Sequence, residues 1–253
     1  MVPPHAQLSR DARHVSMAEQ ERVGRPGITI HYAQTLDGRI ATRTGHSQWI
    51  SCSASLELAH QLRAEHQGIM VGIGTVLADN PRLTVRLVPG DSPCRIIVDS
   101  TLRIPLDTHV LTDGAAATII ATTARAPAER IEAVRRSGVE VLIVESDSAG
   151  RVDLATLVGR LAEMGLASLL LEGGAGLITS ALHHHLVDRL IVCISPKLIG
   201  TGKEAVGNLN IQRMSDALTF ARSSFTTLGE DIIFDGHFEP EVPGSSGVRA
   251  QGG

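Results

Sequence analysis

Glu172-Gly173-Gly174-Ala175-Gly176 follows the apolar run Ser168–Leu171 and precedes a helical segment, Leu177–His184. Glycines between a strand and a helix let the backbone approach a ligand closely. They aim unpaired N–H groups at it, and the positive helix end favours an anion such as a pyrophosphate. The run is not GxGxxG and no acidic residue closes a dinucleotide fingerprint, so a tight turn that merely needs glycine stays open as the alternative. A second junction, Gly74-Thr75, opens a short helix that Asn80-Pro81 stops. Here Thr75 is either a ligand contact or a simple cap, and Asp79 either a contact or the start of a turn. The first strand leads into Thr35-Leu36-Asp37-Gly38-Arg39-Ile40-Ala41 and then Gly45-His46-Ser47-Gln48-Trp49-Ile50. Trp49, the only tryptophan, sits in a polar loop, where a ring is free to pack over a flat ligand. Ligands of open α/β sheets bind at the carboxyl ends of the strands, so Trp49, Thr75, Glu172 and Gly174 are predicted to share one cavity.

Positioning these junctions takes alternating strands and helices. The runs Ile28–Gln34, Ile69–Ile73, Arg95–Asp99, Thr118–Ala121, Val139–Val144, Ser168–Leu171 and Arg189–Ile194 read as strands. Most are continuously apolar, as expected of strands covered on both faces. Asp153 is a predicted N-cap for a helix with Leu154, Leu157, Val158 and Leu161 on one face, stopped at Gly165. Pro127 is predicted at a first helical position, with Ile131 and Val134 buried and Gly138 ending that helix. Leu58, Ala59 and Leu62 give a third stripe after the entry Ser51–Ser53. Ser224–Leu228 and Ile232–Phe234, joined by Gly229-Glu230-Asp231, read as an antiparallel hairpin at the sheet edge. The fold class is therefore α/β, a mostly parallel doubly wound sheet with helices on both faces.

Composition narrows the function classes. A net charge of −4 and only 2% aromatic residues argue against a nucleic-acid surface. Cys52, Cys94 and Cys193 are far apart and form no CxxC, which points away from a disulfide framework and toward a reducing cytoplasm. No apolar run approaches the roughly 18 residues of a membrane span. Met1–Gly27 lacks an apolar h-region and reads as a flexible N-terminal extension. Residues 28–238 read as the folded domain, and the Pro-, Gly- and Ser-rich stretch Glu239–Gly253 reads as a disordered tail. His183-His184-His185 resembles a metal cluster only superficially, since consecutive helical residues point about 100° apart.

Several ordered blocks together resemble the riboflavin-biosynthesis pyrimidine reductases: Thr35–Ala41, Leu62-Arg63-Ala64, Val71–Arg86, Ile97-Val98-Asp99-Ser100, Leu171–Gly174, Leu186-Val187-Asp188 and Ser195–Gly200. The resemblance covers roughly Ile28 to Phe238. It implies a dihydrofolate-reductase-like fold, NADPH as cofactor and a homodimer. It also implies cofactor contacts at Ala33, Trp49, Thr75, Asp79 and Ser100, and along Gly173, Gly174, Ala175, Gly176, Leu177, Ile178, Thr179 and Ser180. Substrate contacts are implied at Ser47, Arg63, Leu83, Arg86 and Glu172, with Arg63 and Arg86 suited to a substrate phosphate and Glu172 to a pyrimidine N–H. Such reductases are often fused behind a zinc-dependent deaminase, for which Met1–Gly27 is too short. The deaminase pattern is also missing, because His237-Phe238-Glu239 has no following Cys pair and Pro93-Cys94 lacks its second Cys.

The reaction so implied is hydride transfer to C1′ of a ring-opened ribosylamino group, giving a ribitylamino group. Asp37 is the acid nearest in sequence to the nicotinamide side, Glu172 is the alternative proton donor, and water is a third. The substrate is either the 2,5-diaminopyrimidinone or its deaminated uracil counterpart, each phosphorylated. Reduction of dihydrofolate or another pterin, and a non-catalytic nucleotide-binding role, are the competing readings. NADH stays possible, since no cation is assigned to a 2′-phosphate.

Overall fold

The computed structural model describes residues 24–239. Most of the predicted N-terminal extension and almost all of the predicted tail lie outside the described residues. Arg25 is described, however, and its guanidinium grips Asp188 with both prongs, at 2.9 and 3.0 Å. Gly27 already belongs to the first strand.

That strand, β1 (Gly27–Thr35), is followed by β2 (Arg39–Thr42), α1 (Ser53–Glu65), β3 (Gly68–Gly72), α2 (Ile73–Asp79), β4 (Cys94–Val98) and α3 (His109–Thr112). Next come β5 (Thr118–Thr122), α4 (Ala128–Arg135), β6 (Glu140–Ile143), α5 (Leu154–Glu163), β7 (Ser168–Glu172) and α6 (Ala175–His183). The chain closes with β8 (Arg189–Ser195), β9 (Gly202–Glu204), β10 (Arg222–Leu228) and β11 (Asp231–His237). The main sheet has nine strands in the order β10-β11-β8-β1-β7-β3-β4-β5-β6. From β8 to β6 all neighbours are parallel; β11 runs antiparallel to β8, and β10 to β11.

The strand order explains the two layers of helices. From β1 the chain steps outward through β3, β4, β5 and β6, then reverses to insert β7 between β1 and β3 and to add β8 beyond β1. Right-handed crossovers put the helices of the outward run on one face and those of the return run on the other. On the first face, Ile73 and Val76 of α2, Val110 and Leu111 of α3, and Ile131 and Val134 of α4 pack with Ile69, Val71, Ile97, Ile120 and Val141. Leu58 and Leu62 of α1 extend that layer over Leu170, Ile191 and Cys193. On the second face, α5 and α6 bury Leu154, Leu157, Leu161, Ile178 and Leu182 against Ile28, Ile30, Met70, Ile96, Leu169 and Leu171.

Local signals behave as their chemistry requires, with some shifts. Asp153 caps α5, accepting the Thr156 N–H at 2.8 Å, a bond that contributes about 1 kcal/mol. Gly165 then adopts φ +89°. Pro127 is the N-cap of α4 rather than its first helical residue. Ile73 opens α2 instead of ending β3, because the chain must leave the sheet at Gly72. Asp231 belongs to β11 rather than to the hairpin turn. It is buried and accepts from the Cys52 N–H at 2.8 Å and the Ser55 hydroxyl at 2.6 Å, which ties the hairpin to the start of α1. The small β2–β9 sheet was not expected from the sequence, since neither strand has an apolar run.

Candidate active site

In the sheet, β7 sits between two strands whose following helices lie on the opposite face from α6. At such a reversal the loops diverge and leave a crevice at the carboxyl edge. A cavity of about 1340 Å³ occupies it, walled by the ends of β1, β3, β4 and β7, by the first turns of α2 and α6, and by the loop carrying Trp49. Glu172, Gly173, Gly174, Thr75 and Trp49 all line it, so the four expected markers do share one cavity.

The floor is built by glycine. Gly173 and Gly174 have φ of +70° and +85°, the left-handed region that only glycine enters without strain. A Cβ at either would meet the Thr75 hydroxyl, at 3.3 and 3.4 Å, so the β7–α6 turn is pressed against the head of α2. Gly174 is the N-cap of α6 and offers no side-chain cap, which leaves the first amides of the helix without an intrahelical partner. A Cβ at Gly176 would meet nothing within 4 Å. Open space over uncapped amides at a positive helix end is a seat for an anion.

Beside this floor, Arg63 on α1 grips Glu172 with two bonds, Nε to Oε1 at 2.9 Å and Nη2 to Oε2 at 2.6 Å. Burial alone would raise the Glu172 carboxyl, but the charge and hydrogen bonds of Arg63, helped by His31 and His60, hold it below the usual range. Arg63 is in turn held above its ordinary value, Glu172 outweighing the opposing effect of burial. Its remaining nitrogen, Nη1, donates to the Thr84 carbonyl at 3.2 Å. Each of the three Arg63 nitrogens is thus engaged within the protein, and Arg63 does not line the cavity, where the resemblance implied a substrate contact. Arg86 does line it, and the bonds it makes use only Nη1, on the Thr84 hydroxyl at 2.8 Å and, weakly, on the Thr84 carbonyl. The His60 Nδ1 accepts the Arg86 N–H at 2.9 Å, which fixes the His60 tautomer with its proton on Nε2. Burial, followed by the charges of Arg63 and Arg86, pushes the His60 pKa down to about 4.

Other expected residues divide cleanly. Ala33, Ser47, Asp79, Ser100, Ala175, Gly176, Leu177 and Ser180 line the cavity. Ile178 faces the core and is fully buried, because a helix that rests on a sheet turns part of each turn inward. Thr179 donates to the Ala175 carbonyl at 2.6 Å and accepts the Gly207 N–H at 2.7 Å, outside the cavity. Leu83 is buried with φ +55° and shapes the loop below Arg86; the buried Arg95 supports that loop through the Arg82 carbonyl.

Asp37 does not line the cavity. Its carboxylate accepts from the Thr35 hydroxyl at 2.5 Å and the Gly200 N–H at 2.7 Å, tying the β1–β2 turn to the segment after β8. The Thr35 hydroxyl foremost, with the Gly200 and Ile199 amides, lowers its pKa against slight desolvation. A carboxylate so placed is a clamp for two turns, not a proton donor at the crevice.

Sequence reasoning missed His31, whose strand partner in register is Glu172 and which lines the same cavity. Burial holds His31 below its ordinary pKa despite the neighbouring Glu172. It also missed Lys197, whose ammonium donates to the Trp49 and Ile50 carbonyls at 2.6 and 2.9 Å. That contact holds Trp49, at φ +63° and 75% exposed, over the mouth. Period-2 reading of β1 puts His31 on one face with Thr29 and Ala33, opposite Ile28 and Ile30, whereas nothing local announces Lys197.

A model of the RibD C-terminal domain matches residues 26–234. The chain belongs to that family. Its mostly parallel sheet with a C-terminal antiparallel hairpin is the fold of this domain. The 2,5-diamino-6-ribosylamino-4(3H)-pyrimidinone 5′-phosphate reductase of Methanothermobacter thermautotrophicus is 45% identical over 217 residues, covering 83% of this chain and 97% of the relative. The riboflavin biosynthesis protein RibD of Aquifex aeolicus is 39% identical over 210 residues, covering 83% of this chain and 57% of the relative. Among solved structures, Acinetobacter baumannii RibD superposes with a TM-score of 0.73 at 27% identity, over 85% of this chain and 58% of the other. This RibD C-terminal domain thus spans little more than half of the two RibD proteins and nearly all of the archaeal reductase.

Proposed function

We propose that the chain is an NADPH-dependent reductase that converts 2,5-diamino-6-ribosylamino-4(3H)-pyrimidinone 5′-phosphate to its ribitylamino product. The observation that carries this reading is the junction at the end of β7. There a charged pair, Glu172 with Arg63, and a glycine floor under uncapped helix amides open onto one crevice. The activity named for the archaeal relative, matched over nearly its whole length, supports this pyrimidine over its deaminated counterpart.

The residues divide the work by position. Ala175 and Gly176 offer amides to the dinucleotide phosphates, with Gly173 and Gly174 allowing close approach and Thr75, Asp79 and Ser100 flanking it. Ala33 and Trp49 bound the nicotinamide end. Glu172, kept ionised by Arg63, accepts N–H bonds from the pyrimidine, and Arg86 with Ser47 holds the sugar phosphate. The bound cofactor supplies hydride to C1′ of the ring-opened sugar. The protein's contribution is chiefly geometry, since holding two reactants in a near-attack pose removes much of the entropic barrier. The proton does not come from Asp37, which lies away from the cavity, nor from Glu172, which Arg63 holds in its ionised form.

The test is NADPH oxidation by the purified chain, followed at the nicotinamide absorbance band, with the diaminopyrimidinone and the uracil counterpart in parallel. Turnover is expected with the first and faster than with the second. Oxidation with neither overturns the reading.

A further inference from the structure

Among the described residues His31, His60 and His66 are buried histidines, and of these only His31 lines the cavity. On β1 it shares a face with Thr29 and Ala33, beneath α1. Glu172 is its register partner on β7, while Ala33, two residues on, is paired with Cys193 of β8. The His31 Nε2 and the buried Cys193 Sγ are hydrogen-bonded at 3.4 Å. His66, by contrast, spends both ring nitrogens inside the protein, on the Leu62 carbonyl and the Thr29 hydroxyl. Among the described residues the His31 Nδ1 has no hydrogen-bond partner, which leaves that nitrogen for the cavity.

The protons on this pair follow from the chemistry of its two members. Burial keeps His31 below its ordinary pKa, so at neutral pH the ring is uncharged and carries one proton. Burial also pushes the Cys193 thiol up to about 12, Ser55 opposing and Asp231 adding to the rise, so the sulfur keeps its hydrogen. An imidazole nitrogen is a good acceptor and a thiol sulfur a weak one. The S–H therefore points at Nε2, and the imidazole proton sits on Nδ1.

We propose that His31 is the proton donor of the reduction and that Cys193 reloads it. This rests on the reductase reading for its substrate. His31 is level with Glu172 and two residues short of Ala33, roughly 7 Å along the strand. A substrate whose pyrimidine meets Glu172, and whose C1′ meets the nicotinamide beside Ala33, brings its linking nitrogen over His31. As hydride forms the new C1′–H bond, the C1′=N π pair moves to nitrogen, which takes the proton from Nδ1. Nε2 takes the Cys193 proton in the same event, so the ring stays neutral in its other tautomer and the S–H pair remains on sulfur. The nitrogen anion is a stronger base than a thiolate, and the transfer runs downhill. After product release water protonates Nδ1, and Nε2 returns its proton to sulfur, which resets the pair.

The ring tautomer is read without substrate, from long-range proton–nitrogen correlations of the isotope-labelled full chain at neutral pH. The His31 signals are assigned by their loss in His31→Gln. The proton is expected on Nδ1 in the wild-type chain and shared between both nitrogens in Cys193→Ala. A wild-type proton on Nε2 overturns the inference. In turnover with the diaminopyrimidinone, His31→Phe is expected to lower kcat at least about a hundredfold. Both KM values should move less than about threefold. Cys193→Ala is expected to lower kcat about tenfold, and Cys193→Ser, which keeps an O–H, to restore most of it. In mixed light and heavy water the wild-type single-turnover rate should follow a curve, as two moving protons require, and that of Cys193→Ala a straight line. A straight wild-type line, or a His31→Phe loss confined to KM, overturns the inference too. If Cys193→Ala fails to fold, the wild-type tautomer and the wild-type curve decide alone. Turnover with neither pyrimidine sinks the reductase reading and the proton transfer together, whereas turnover with the proton on Nε2 sinks the relay alone.

Discussion

The Arg63 guanidinium and the Glu172 carboxylate lie side by side in a two-pronged ion pair, brought together by α1 and the end of β7. Both side chains are largely shielded from water, at 15% and 13% exposure. Removing one member strands the other, which typically costs 3–5 kcal/mol for a buried pair. Arg63→Met is expected to lower unfolding stability by about 3 kcal/mol and to abolish pyrimidine turnover, measured by urea titration and NADPH oxidation. Glu172→Gln keeps the shape but loses the charge, so pyrimidine KM should rise at least tenfold while the nucleotide affinity changes little. An unchanged pyrimidine KM in Glu172→Gln would remove Glu172 from the substrate site.

The bond from the Arg86 N–H to His60 Nδ1 exists only while His60 is neutral at that nitrogen. Its pKa is lowered to about 4 in the fold, against an unfolded value near 6.5. The unfolded chain therefore binds more protons between these values, and stability falls as pH drops through that window. Above about pH 6.5 the contribution is complete, and below about pH 4 it is gone. His60→Leu should flatten this part of the stability profile while raising the substrate KM through a loosened Arg86. A profile of the same slope in the variant would show that other groups carry it; His31 and His66 are also lowered by burial.

Gly174 is held at φ +85° with Thr75 packed against it. Gly174→Ala adds left-handed strain of about 1 kcal/mol or more and presses a methyl on the Thr75 hydroxyl. The KM for NADPH should rise about tenfold, with a smaller effect on the pyrimidine. Wild-type kinetics in Gly174→Ala would mean that the turn does not touch the nucleotide.

Asp37 joins two turns rather than serving the crevice. Asp37→Asn is thus expected to lower the melting temperature and to leave the shape of the pH–rate profile alone. A hundredfold fall in kcat in a variant with a wild-type melting curve would restore Asp37 as the acid.

How much of this was legible in the sequence depends on the range of the forces involved. The apolar runs for β1, β3, β4, β5 and β8 and the stripe of α5 are local patterns, and they located those elements to within a residue or two. Glu172-Gly173-Gly174 was readable because only glycine suits the backbone it adopts. The pairing of Arg63 with Glu172 was not readable, since residues far apart in sequence meet only through the insertion of β7. Nor was the clamp on Asp37, whose partners Ile199 and Gly200 come from a loop with no apolar pattern. Polar contacts between distant loops leave no periodic trace.

Because β7 enters the sheet after β3 through β6, between two strands laid down far earlier, any stretch that ends before it lacks the glycine floor of the cavity. A nascent chain ending before Ser168 would carry Thr75 and Ser100 beside the β3–β6 strands, while β1 would still lack both of its sheet partners, β7 and β8. Ligand capture therefore reports that β7 has taken its place between β1 and β3. The stabilisation a nucleotide confers by mass action should accordingly protect the amides of β1, β3 and β7 as one block, not those of the rim alone.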